Sequence, residues 1–308
     1  MNPAPSVIFF TTLSGLGYGL AFWLSLARLL HPELASAPWY GGVGLGAALV
    51  LIVSGLLSST FHLGHPERAW RAVSQWRTSW LSREGVAALV SLPLIGLEWL
   101  GWATGETGGL WTAIAVLAAI SAVVTVHCTG MIYQSLKPVA AWTSSLTTPV
   151  YLLYAAMTGA FAAAALSVAF GQPAFTFTVA AVALAPLLAW AKFAYWKRAR
   201  GAGATTPETA TGLGRIGTVR QLEAPHVTEN YITREMGFRV ARAHAERLRK
   251  IAVGLGLALP LVLGLCAFWV APVLLWPAAV AALVGAIVER WLFFAEAKHA
   301  VTAYYGDR

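Results

Sequence analysis

Two histidines three positions apart, His62 and His65, run into Pro66-Glu67-Arg68 where a long apolar stretch ends. Histidine changes charge near neutral pH and can both take and release a proton. Three further ionisable groups stand at similar places. Arg83-Glu84 opens an apolar stretch, and His127 lies late in another, followed by Tyr133 and Lys137. Glu289-Arg290 lies late in the last, followed by Glu296, Lys298 and His299. Charged groups at hydrocarbon depth are costly, which makes each a site candidate. Each also has a plainer reading. Arg83 with Glu84 could cap a helix start, Glu289 with Arg290 could pack two helices, and His127 could be a core histidine or, with His62, a haem ligand.

The elements that hold these groups are membrane spans. The chain has 308 residues, is 58% hydrophobic and only 11% charged, against about 25% charged residues in a soluble domain. About 20 apolar residues cross ~30 Å of hydrocarbon, and eight stretches suffice: 7–30, 40–61, 85–103, 110–133, 147–170, 175–195, 251–270 and 273–295. The expected fold is all-α, a single integral bundle of eight transmembrane helices over residues 1–308. The first stretch is too long for a signal-peptide core and no basic residue precedes it, so it reads as a retained helix. Pro93, Pro149, Pro186 and Pro260 lie in or near spans, where neighbouring helices can satisfy the freed carbonyls. Glycine runs at 15, 17 and 19 and at 41, 42, 44 and 46 suit close helix crossings. Many of the 14 tryptophans stand near span ends, as in an interfacial aromatic belt.

Charge sets the orientation. Of the 21 lysines and arginines, all but Arg28 fall on one side of these eight spans. Basic loops resist translocation, so that side, with both termini, is expected in the cytoplasm of a bacterial inner membrane. The opposite connections, around Ala37, Gly105, Gly171 and Ala271, are short and nearly uncharged. The one long hydrophilic stretch, 197–250, starts with a Gly/Ala/Thr-rich linker and ends in an amphipathic helix over 232–250, which suits a membrane surface or a partner protein. Gly212-Leu213-Gly214-Arg215-Ile216-Gly217 matches a dinucleotide fingerprint in letters only, because no strand precedes it. Cys128 and Cys266 form no metal-binding pattern. The basic loops need no nucleic acid to explain them.

The candidate groups therefore gather at the basic ends of their helices, on the face where a partner can dock. A solute transporter would more typically keep its ionisable groups at the midplane, on broken helices. A site near one membrane face suits an amphipathic redox carrier. A quinone has two carbonyl oxygens that become hydroxyls on reduction, and His with Arg or Tyr can hydrogen-bond both. The candidate quinone contacts are His62, His65, Arg68, Arg83, Glu84, His127, Tyr133, Glu289 and Arg290.

At these residues the chain resembles the dimethyl sulfoxide reductase anchor (DmsC) family. The resemblance is carried by Phe10 to Gly19, His62 to Trp70, Ser79 to Glu84, Met131-Ile132-Tyr133, Leu136-Lys137-Pro138 and Glu289 to Glu296, in order along the chain. It implies a third subunit beside a molybdopterin catalytic subunit and an iron–sulfur subunit, one that exchanges electrons with ubiquinone or menaquinone. It carries the family's quinol-linked histidine onto His62. It also implies that the chain holds no metal of its own, since DMSO-reducing members lack haem; a haem b on His62 and His127 stays open, although two haems would want four histidines. The cytoplasmic docking face, and Pro225-His226, Asn230-Tyr231 and 235–239 in the long loop, are most similar to the sulfite:quinone oxidoreductase branch. That branch implies sulfite oxidation coupled to quinone reduction. The alternatives are a quinol-oxidising anchor and, in another class, the transporter.

Overall fold

A computed structural model describes residues 3–31, 33–34, 37–62, 65–201, 205–220, 222–223, 240–301 and 303, with the side chains of His62, Pro66 and 240–244 outside the description. Among the described residues, eight helices are long and apolar enough to cross a bilayer. The first six are α1 (Pro5–Leu30), α2 (Pro38–Ser58, extended to Phe61 by a 3₁₀ turn), α3 (Trp80–Ala103), α4 (Gly109–Gln134), α5 (Thr147–Ala169) and α6 (Phe175–Gly201). The seventh span joins α7 (Val240–Val253) to α8 (Leu259–Trp269) through a π turn, Gly254–Ala258, and the eighth is α9 (Leu275–Ala295). The expected all-α bundle is thus the observed one.

The span ends follow local chemistry. Proline opens α1 and α2, where its missing N–H costs nothing. Ser79 caps α3, its hydroxyl accepting from the Ser82 N–H. On the far face, Gly105 and Gly171 follow α3 and α5 at φ of +71° and +64°, the left-handed conformation that glycine adopts without strain. Pro93 and Pro186 lie inside α3 and α6.

α1 is the hub and packs against α2, α4, α5 and α9. In lipid, helices associate through close van der Waals contact, and small residues permit it. A Cβ placed on Gly19 would land on the Ala155 carbonyl of α5, and one on Gly285 of α9 would land on Gly256 in the π turn. The chain crosses itself backbone to backbone at both points.

The expected amphipathic helix over 232–250 lies outside the described residues up to 239. From Val240 the chain is helical and continues into the seventh span. Pro225 to Phe238 and Arg308 are likewise outside the described residues.

Candidate functional site

The basic ends of α1, α3, α4, α5, α6 and α9 bring a set of polar side chains into the bundle. Glu84 sits in the first turns of α3, 4% exposed, and accepts a hydrogen bond from the Thr129 hydroxyl of α4. One turn beyond Thr129, the buried Tyr133 ring stacks on Tyr151 of α5 at 5.6 Å. The Arg290 guanidinium of α9 lies over the other partner of that stack, 3.7 Å from the Tyr151 ring centroid. Beside it Glu289, fully buried, forms an ion pair with Lys192 of α6 and lies 3.8 Å from Arg290. The Lys192 ammonium also faces the Tyr195 and Trp196 rings at 4.2 and 5.0 Å.

A small cavity of about 20 Å³ opens among these residues, lined by Thr12, Ser14, Thr129, Tyr151, Thr158 and Arg290 with their apolar neighbours. Its walls divide by hydrogen-bond role. The hydroxyls of Thr12, Ser14 and Thr158 donate back to their own helix at Ile8, Phe10 and Tyr154, so they offer the cavity acceptor lone pairs. Arg290 and the Tyr151 hydroxyl lie within hydrogen-bonding range of each other, and among the described residues Arg290 Nε and Nη1 and the Tyr151 hydroxyl have no further partner, so that wall offers donors. The volume suits one water-sized group. At 1.5 Å per residue the lining on α4, α5 and α9 begins about 6–8 Å inside the basic helix ends and at Thr158 reaches about 16 Å, near the middle of α5.

Lys192, Glu289 and Arg290 together carry one net positive charge in this interior. Such a charge is expensive in a low-dielectric medium. The aromatic faces around Lys192 and Arg290 offset part of that cost.

Of the nine residues expected at a quinone site, the structure brings Glu84, Tyr133, Glu289 and Arg290 together. His65 and Arg68 are exposed on the turn after α2, both held by Glu67, at 3.0 and 3.7 Å. Arg83 points back along the chain, donating to the Trp76 and Arg77 carbonyls at 3.0 and 2.7 Å and covering the Trp80 ring. His127 is on the exposed face of α4, edge-on to Trp80 at 5.9 Å, and a haem reaching it would have to leave the bundle interior. The backbone of His62 ends the 3₁₀ turn after α2, and its side chain lies outside the description.

Sequence reasoning missed Thr129, Tyr151, Thr158, Ser14 and Lys192. Lys192 has a visible signal, a lysine four residues before the basic Trp196-Lys197-Arg198 end, and it reads as part of the loop flank until its partner on α9 is known. The hydroxyl residues carry no such signal.

The comparisons with known proteins bear on this architecture. Residues 1–295 match the family model described as DMSO reductase anchor subunit (DmsC). A sulfite dehydrogenase subunit from Allochromatium vinosum is 34% identical over 325 aligned positions, covering 99% of this chain and 99% of that one. Eight spans in sequence and a match across nearly the whole length converge on one assignment: the chain belongs to the DMSO reductase anchor subunit (DmsC) family and is a membrane anchor subunit of an oxidoreductase complex.

Proposed function

We propose that this subunit exchanges electrons with the quinone pool for a complex that oxidises sulfite, docking an iron–sulfur subunit and, through it, a molybdopterin subunit on its basic, cytoplasmic face. The observation that carries the reading is the divided cavity. Donors on Arg290 and Tyr151 line the cavity together with Thr129, whose hydroxyl meets the Glu84 carboxyl. Quinone supplies a two-electron, two-proton couple, and the residues here match what its oxygens need. Arg290 and Tyr151 hydrogen-bond one oxygen as negative charge grows on it, and the net positive charge of the Lys192–Glu289–Arg290 group favours that charge. Glu84 holds a proton at its carboxyl, and the Thr129 hydroxyl relays it toward the cavity. The cavity admits one oxygen of the head group, not the ring, so the ring would rest at its mouth. The sulfite assignment is supported by the likeness to the Allochromatium vinosum protein.

The test is sulfite-driven reduction of decylubiquinone by the purified complex. Arg290→Gln removes a charge-assisted hydrogen bond of about 1.5–3 kcal/mol, so quinone KM should rise roughly 10- to 100-fold. Glu84→Gln should lower kcat with a smaller effect on KM. Unchanged KM and kcat in both variants, with partner subunits still bound, would remove the quinone site from this cavity.

A further inference from the structure

A second ionisable centre lies at the opposite end of the bundle. Glu98 of α3 is fully buried, and its Oε2 accepts a hydrogen bond from Ser25 of α1 at 2.6 Å. Arg28, the one basic residue expected on that face, stacks on the Trp102 ring at 5.3 Å and donates to the Glu106 carbonyl in the connecting turn. Both Arg28 and Trp102 lie within interaction range of the Glu98 carboxyl. Glu98 Oε1 and Arg28 Nη1 are buried and make no hydrogen bond among the described residues, while the Trp102 N–H is within hydrogen-bonding range of the carboxyl. A species that satisfies both accepts from an N–H group and donates to a carboxylate. Water meets that requirement, and water is also what passes protons to a carboxyl.

This centre stands in register with the first. Glu84, Ser91 and Glu98 are spaced seven residues apart on α3 and all are buried, so they form one stripe, about 10 Å between members. The stripe faces a matching one on α1, through Tyr18 and Ser25. The Tyr18 hydroxyl is 3.0 Å from Ser91 Oγ, and Thr125 of α4 is within hydrogen-bonding range of it. Thr125 lies one turn from Thr129, whose hydroxyl meets Glu84. Hydroxyl groups thus run from Glu84 to Ser91, about the middle of the bilayer. Thr125 and Thr129 stand a turn apart, and a longer break follows Ser91, roughly two helical turns where Ile95 and Ala21, both fully buried, lie on the same stripes. An apolar plug between two polar half-paths blocks a standing proton leak and opens only to transient water.

We propose that the α1–α3 seam is a proton path joining the face opposite the docking loops to the cavity, with Glu98 as its proton-loading group. It rests on the quinone reading above. The balance is simple: two electrons arrive from the iron–sulfur partner, two protons arrive along the seam, and one quinone becomes one quinol.

The experiment uses the intact complex in sealed vesicles with a pH dye trapped inside. Membrane-impermeant sulfite outside selects complexes with docking loops outward, decylubiquinone is the acceptor, and potassium with valinomycin cancels the membrane potential. The expected result is alkalinisation of the interior during turnover. Glu98→Gln abolishes it and slows quinone reduction about tenfold, and Glu98→Asp restores both in part. Tyr18→Phe, which keeps the ring, weakens interior uptake and guards against a misfolded Glu98 variant. Without any sulfite, stepping the interior pH should titrate a carboxyl infrared band that Glu98→Gln removes, whereas stepping the exterior pH should not. Turnover with protons drawn only from outside, or a band that follows the exterior pH, overturns the seam and leaves the quinone reading intact. Absence of quinone reduction in the unaltered complex overturns both.

Discussion

Lys192 and Glu289 pair across α6 and α9 with side-chain exposures of 2% and 0%, and Arg290 stands 3.8 Å from the same carboxylate. One anion therefore serves two cations. Removing a single partner from a buried pair costs about 3–5 kcal/mol because the remaining charge is left uncompensated. The two members are not equivalent here. Lys192→Met leaves Glu289 beside Arg290, whereas Glu289→Gln leaves two cations facing each other. The expected order of thermal stability in detergent is wild type above Lys192→Met above Glu289→Gln. The reverse order for the two variants would mean that the carboxylate does not hold both cations.

The α1–α5 crossing makes a prediction that owes nothing to charge. A Cβ on Gly19 meets the Ala155 carbonyl and the backbone at Gly159, while a Cβ on Gly42 of α2 meets nothing within 4 Å. Backbone cannot move aside as a side-chain tip can, so Gly19→Ala should cost at least about 1–3 kcal/mol and lower the yield of assembled complex. Gly42→Ala should be neutral or slightly stabilising, since it restricts the unfolded chain. Parallel purification of both variants checks the contrast.

How much of this was legible in the sequence differs by element. The spans were, because their length and apolar content are local properties; every helix begins and ends within a few turns of expectation. Four of the nine expected site residues converge, and those four are charged or aromatic residues near the basic ends of apolar runs. Arg83 illustrates the limit. It adjoins Glu84 in sequence, yet successive positions on a helix point about 100° apart, and only Glu84 turns inward. Thr129, Tyr151 and Lys192 acquire meaning through partners on other helices, which no local pattern contains. Glu98 is different: a carboxyl inside the 85–103 stretch is itself a local signal, and sequence reasoning missed it although only its partners Ser25 and Arg28, on α1, needed the structure.

Arg83 closes the turn over 74–79 by hydrogen bonds to the Trp76 and Arg77 carbonyls. Arg83→Ala should loosen that exposed turn at a cost of about 1–3 kcal/mol for the two bonds together, and the effect should fall on partner docking. The expected outcome is weaker retention of the iron–sulfur subunit on purification at raised salt, with quinone KM within about twofold of wild type. A raised KM with full retention would assign Arg83 to the quinone.

Glu296, just past the end of α9, gives a pH dependence whose sign can be worked out. It pairs with Arg249 of α7 at 2.7 Å, yet burial pushes its carboxyl above the usual carboxylate range, with Arg249 and Lys192 opposing. A carboxyl raised in the folded state favours folding most when protonated in both states, below its unfolded pKa of about 4.3. That contribution is lost as pH rises through the folded pKa. Glutamine mimics the protonated form at every pH. Glu296→Gln should therefore cost less stability at pH 7 than at pH 4, and the variant's stability should vary less across that interval. Thermal unfolding of both proteins between those two values checks it. A variant that falls further behind wild type as pH rises would mean that the ion pair with Arg249 outweighs the burial of the carboxylate.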